Sequence, residues 1–95
     1  MKVLLINGSP RMKGNTTLAL EEMVKTFHAE GIETEMINIG NKAIRGCIAC
    51  GTCRDRGQCV FDDEVNICAE KFEECDGLVL ASPVYYASAN ATLIA

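Results

Sequence analysis

The sequence predicts an α/β domain built on a doubly wound parallel sheet, and three observations predict it. Short apolar runs at 2–6 and 77–81, each bounded by turn formers, read as fully buried strands. Between and after them, apolar residues recur at helical spacing. The order that results, β-α-β-loop-α-β-loop-α, is the alternation in which parallel strands are joined by right-handed crossovers.

The first strand (Val3, Leu4, Leu5, Ile6) runs into Asn7-Gly-Ser-Pro-Arg-Met-Lys-Gly-Asn-Thr-Thr17, and this stretch leads into a helix. A strand–loop–helix unit of this kind gathers backbone N–H groups around an anion, and the helix adds roughly half a positive charge at its N-terminus. Ser9, Thr16 and Thr17 supply hydroxyls, Asn15 an amide, and Arg11 and Lys13 cations. Five residues separate Gly8 from Gly14, and Asn15 stands where a Walker A loop needs lysine. No Gly-x-Gly-x-x-Gly occurs, so a dinucleotide fingerprint is excluded as well. A long loop rich in hydroxyls and amides suits a terminal phosphomonoester. The alternative is a plain βα turn, since Ser, Asn, Gly and Pro are turn formers too.

From Thr16 to Ala29, Leu20, Met23, Val24 and Phe27 mark a helix that Gly31 closes. His28, the single histidine, falls in its last turn, where a solvated role at the negative helix end is expected. Residues 33–39 form a second strand, polar at its start and therefore an edge. Asp62 to Glu74 forms a second helix, with Asp62, Asp63 and Glu64 at its favourable end. Val65, Cys68, Phe72 and Cys75 share one face of it, so Cys68 and Cys75 are expected to pack as small hydrophobes. Ser82-Pro83-Val84-Tyr85-Tyr86 turns off the third strand, and Asn90 opens a further helix. Ligands of open α/β sheets sit beyond the carboxyl ends of the strands, which brings the first loop and the tyrosine loop to one edge. A ring attached to a phosphate in the first loop would then meet Tyr85 and Tyr86, unless these are ordinary half-buried aromatics.

Cys47, Cys50, Cys53 and Cys59, in the loop 46–60, are spaced C-x2-C-x2-C-x5-C. Tight C-x2-C runs let one loop wrap several corners of an iron–sulfur cube. Zinc more often takes two separated pairs, and a set of reduced thiols is the remaining alternative. Arg45, Arg54 and Arg56 would offset thiolate charge or help an anion to dock.

Ninety-five residues allow one small domain. A net charge of −4 and a pI near 4.9 exclude a basic nucleic-acid surface. No apolar run approaches the ~20 residues of a membrane span, and no signal peptide is evident. A cytoplasmic location is therefore expected, where six cysteines point to metal or redox chemistry rather than disulfides. A complete doubly wound domain has about five strands and three are evident, so 1–95 is expected to be the N-terminal part of a larger domain. A second copy or a further segment would then cover the apolar third strand.

Taken together, Asn7-Gly-Ser-Pro-Arg11 with Gly14-Asn15-Thr16, the cysteine loop and Ser82-Pro-Val-Tyr-Tyr86 resemble the flavodoxin-like NADPH-dependent FMN reductases, and within them the iron–sulfur flavoproteins. The resemblance covers the first half of the family's domain. It implies FMN, with its phosphate on Ser9, Arg11, Asn15, Thr16 and Thr17 and its isoalloxazine against Pro83, Val84, Tyr85 and Tyr86. It also implies electron transfer from NAD(P)H through flavin to a quinone, flavin or other small acceptor. Cys47, Cys50, Cys53 and Cys59 match the ligand motif of a [4Fe-4S] cluster in the cluster-bearing branch. The resemblance implies homodimers or homotetramers too, and a third flavin-contacting segment beyond Ala95. No side chain need act as acid or base in such a site, and no convincing catalytic residue is present. A non-catalytic flavin and iron–sulfur electron carrier, or an inert fragment, are the other readings.

Overall fold

The computed structural model describes residues 1–11, 13–44, 46–61 and 64–94. Three parallel strands form the sheet: β1 (Lys2–Asn7), β2 (Glu33–Asn38) and β3 (Gly77–Ala81), in the order β2-β1-β3. Leu5 pairs with Met36 on one side and Val79 on the other. The strand with the most continuous apolar run takes the centre, where both faces are covered. The more polar β2 takes an edge, as its composition predicts, and β3 takes the other.

Helix α1 (Asn15–Ala29) lies on one face. Leu20 is buried against Val3 and Leu5, with Val24, Phe27, Met36, Val79 and Ala81 around them. Met23, on the same predicted stripe, is instead 39% exposed, because the sheet is too narrow to cover the whole apolar arc. The helix ends in a Schellman turn. Ile32 N–H donates to Phe27 O at 2.8 Å and Gly31 N–H to His28 O at 3.1 Å, with Gly31 at φ +76°. His28 is exposed, its Nε2 3.0 Å from Thr34 Oγ1, as a solvated residue should be.

On the opposite face, α3 (Glu64–Glu74) crosses β1, and Leu4 is buried beneath it. The expected start of this helix at Asp62 and Asp63 lies outside the described residues. Cys68 and Cys75 are half-buried, the Cys75 thiol donating to Phe72 O at 3.2 Å. Phe72 departs from its expected core position, being 55% exposed. Lys71 on α3 and Lys2 on β1 both grip Glu35 on β2, at 3.1 and 3.2 Å.

Two elements were not anticipated. A short helix, α2 (Thr52–Arg56), sits inside the cysteine loop between Gly51 and Gly57. A two-residue antiparallel ladder, β4 (Val84–Tyr85) with β5 (Ser88–Ala89), turns the tyrosine segment into a hairpin. Its tip, Tyr86 and Ala87, has φ +52° and +62°, the backbone that such tight hairpins demand. The sequence lacks the Asn-Gly that usually announces this turn. Helix α4 (Ala91–Ile94) follows, opened by Asn90 as expected.

Candidate functional site

The loop after β1 takes its shape from Asn7, a side chain that sequence reasoning passed over. Its exposure is 1%, and every polar atom of its amide has a partner. Asn7 Nδ2 donates to Thr17 Oγ1 at 3.0 Å and to Asn38 Oδ1 at 3.1 Å, while Oδ1 accepts from Ser9 N–H at 3.0 Å. An asparagine at the end of an apolar strand was the available signal, since burial there requires full hydrogen bonding.

Ser9 and Thr17 face inward. Ser9 Oγ accepts from Arg11 N–H at 3.2 Å, and Thr17 Oγ1 donates to Arg11 O at 3.0 Å. These two hydroxyls therefore curl the loop over the start of α1. Arg11 and Asn15 are exposed and Thr16 is half-buried, so these three stand at its mouth. Gly14 caps α1 without a side-chain hydrogen bond, and the first turn holds no acidic residue. The first-turn N–H groups of any helix lack intrahelical partners, which leaves a positive end for an anion. Behind the loop, β2 continues into Gly40, where a Cβ would lie 2.2 Å from the carbonyl carbon of Ser9. Only glycine permits that approach.

The second expected segment lies at the same edge of the sheet. Gly8 N–H donates to Ala81 O at 2.8 Å, joining the ends of β1 and β3. This is the point where the strand order reverses, the usual ligand crevice of such sheets. Pro83 is half-buried, whereas Val84, Tyr85 and Tyr86 are 76%, 49% and fully exposed. Donors and a cation at one end, with exposed aromatic faces beside them, fit a phosphorylated aromatic ligand such as FMN. A groove of about 600 Å³ at the other end of the sheet is lined by Lys2, Glu33, Glu35 and Lys71. Lys2 and Lys71 there are already paired with Glu35, and the groove sits at the amino ends of the strands.

In the cysteine loop, the four candidate thiols are free and share one cavity of about 320 Å³. Ile48, Val60, Phe61 and Val65 give it apolar walls. Asn66 of α3 fixes its far rim, accepting from Cys59 N–H at 2.8 Å and donating to Cys59 O and Phe61 O at 3.2 Å. Cys50 Sγ lies 3.3 Å from Thr52 Oγ1, and the Thr52 side chain, then its backbone, hold the Cys50 thiol below its ordinary pKa. Four sulfur donors around an apolar cavity fit an iron–sulfur group by their chemistry. Among the described residues, no three His, Cys, Asp or Glu side chains yet converge as metal ligands. Arg54 and Arg56 are exposed on α2, and Arg45 lies outside the described residues.

The chain is 44% identical over 93 residues to an iron–sulfur flavoprotein of Methanocaldococcus jannaschii, a match covering 98% of this chain and 48% of that protein. An iron–sulfur flavoprotein of Methanosarcina thermophila is 37% identical over 93 residues, with 98% and 49% covered. The chain thus spans about half the length of the curated relatives it matches. Among solved structures, RosB with bound 8-demethyl-8-formylriboflavin-5′-phosphate superimposes with a TM-score of 0.68, over 97% of this chain and 38% of that one. At 22% identity, that likeness concerns the fold. Among the described residues no helix is long and apolar enough to cross a membrane. The family described as NADPH-dependent FMN reductase matches residues 1–95 from end to end, and the chain belongs to it.

Proposed function

We propose that residues 1–95 are the FMN-holding part of an oxidoreductase that passes electrons from NAD(P)H to a small acceptor such as a quinone or free flavin. The observation that carries this reading is the Gly8–Ala81 hydrogen bond, which sets the anion loop and the tyrosine hairpin side by side. When bound, FMN supplies the hydride-accepting and electron-donating chemistry. The chain's part is to bind and orient. Arg11, Asn15, Thr16 and the first-turn N–H groups of α1 take the phosphate at the mouth of the loop. Ser9 and Thr17 hold that loop in shape from behind. Pro83, Val84, Tyr85 and Tyr86 give the ring an apolar face that excludes water from one side. Cys47, Cys50, Cys53 and Cys59 would hold a [4Fe-4S] cluster, with Ile48, Val60, Phe61 and Val65 giving it an apolar wall on one side.

The visible spectrum of anaerobically purified protein tests the reading. Flavin bands that persist through gel filtration support it, and a colourless protein that takes up no added FMN overturns it. Iron near zero in the same sample removes the cluster from the scheme. Steady-state NAD(P)H consumption with a quinone then tests the catalytic step.

A second reading, a flavin and iron–sulfur electron carrier serving a protein partner, is favoured by the exposure of Cys47, Cys50 and Cys53. Absence of turnover by a flavin-loaded protein would select it. We propose also that a homodimer or homotetramer, in the cytoplasm, is the working form. Leu78 and Leu80 on edge strand β3 are 41% and 57% exposed, and light scattering measures the assembly directly.

A further inference from the structure

The two halves of the proposed site are joined by the Gly8–Ala81 backbone hydrogen bond, and one side chain adds a second tie between them. Asn90 lies at the foot of the tyrosine hairpin and is 5% exposed. Asn90 Nδ2 donates to Gly8 O in the anion loop, 82 residues away in the chain. Its Oδ1 accepts from Leu93 N–H at 3.2 Å, which opens α4, and its own N–H donates to Ser82 Oγ at 2.8 Å. Ser82 Oγ in turn donates to Pro83 O at 2.8 Å, at the root of the hairpin. The fit is close, because a Cβ on Gly8 would stand 3.0 Å from Asn90 Oδ1. From Gly8 to Pro83 this chain of contacts is continuous, running through the Asn90 side-chain amide to Gly8 and through its backbone N–H to Ser82.

We propose that Asn90 is a positioning residue that sets the distance and tilt of the aromatic hairpin relative to the phosphate loop, and so selects phosphorylated over unphosphorylated flavin. This rests on the FMN reading above. A ligand with a ring and a phosphate gains from both ends only if they are held at one spacing; otherwise it must order them itself on binding. Riboflavin, lacking the phosphate, uses only the hairpin end and is indifferent to that spacing.

The Nδ2 contact can be removed while the cap is kept. Asn90→Asp is isosteric and still accepts from Leu93 N–H, but it turns a carboxylate oxygen towards Gly8 O. Asn90→Ser also caps α4 and is too short to reach Gly8. Dissociation constants for FMN and riboflavin are measured by flavin fluorescence on the unsubstituted protein and both variants, with Tm recorded for each. Positioning requires FMN affinity to fall about tenfold in the variants, riboflavin affinity to stay within about twofold, and the FMN preference to shrink accordingly. An unchanged FMN-to-riboflavin ratio in a folded variant overturns the proposal, whatever happens to Tm, and assigns Asn90 to capping alone. If the unsubstituted protein binds neither flavin, the FMN reading fails first and the inference falls with it. If either variant does not fold, the other supplies the ratio, and loss of folding in both marks Asn90 as structural and overturns positioning.

Discussion

Asn7 Nδ2 and Thr17 Oγ1 meet at 3.0 Å, a buried hydrogen bond that fastens the end of the central strand to the first turn of the helix beside it. Asn7→Ala strips a partner from Thr17, Asn38 and Ser9 together. The expected loss is about 2–3 kcal/mol of stability, read from urea unfolding midpoints. Thr17→Val should cost less, roughly 1 kcal/mol, because the larger network survives it. The double variant should fall short of the sum, since both changes remove the same bond.

Gly40 is a second test of how tightly the anion loop is backed. A Cβ there would overlap the Ser9 carbonyl at 2.2 Å, so Gly40→Ala must displace the loop. We expect at least about 2 kcal/mol of destabilisation and weaker FMN binding. Gly31→Ala is the control: nothing lies within 4 Å of its added Cβ, and only the left-handed backbone at φ +76° resists, at about 1 kcal/mol.

At the hairpin tip, Ala87 occupies φ +62° without the freedom of glycine. Ala87→Gly relieves that strain and should raise stability by roughly 0.5–1 kcal/mol, about 3 °C in Tm. A fall in Tm would show that the tip is not held in this conformation in solution.

The Glu35 carboxyl is held below its usual range, first by the Lys71 side chain and then by Lys2. Lys71 is raised in turn, by the same Glu35 contact. A depressed carboxylate stabilises the fold above its unfolded pKa and loses that contribution as pH falls through its folded one. A raised lysine contributes below its unfolded pKa and loses its share as pH rises through the folded one. Glu35→Gln should therefore be less stable than the parent near about pH 7, and the gap should narrow as pH falls below about 4, the ordinary glutamate range. Urea midpoints across that range decide it; a constant gap would rule the carboxylate charge out.

Arg11 is exposed at the mouth of the loop and its side chain has no ion pair among the described residues. Arg11→Ala should weaken FMN binding by about tenfold, the scale of one charge-assisted contact, and leave riboflavin binding unchanged. Equal losses for the two flavins would place the phosphate elsewhere.

From the sequence by itself came the alternation of strands and helices, the polar edge strand, the Gly31 helix end and the cysteine spacing, all properties of residues near one another in the chain. Hydrophobic period and turn chemistry act over a few positions, which is why they can be read there. Only the tertiary structure decided that Ser9 and Thr17 face inward while Arg11 and Thr16 stand at the mouth. It alone revealed Asn7, Asn66 and Asn90 as the amides that hold each loop, and Phe72 as exposed. The ties that set them include partners 10, 31 and 82 residues distant, brought together when the sheet closes. A buried amide is decided by the geometry of its partners; an asparagine closing an apolar strand can flag the burial of Asn7, but not the distant groups that satisfy it.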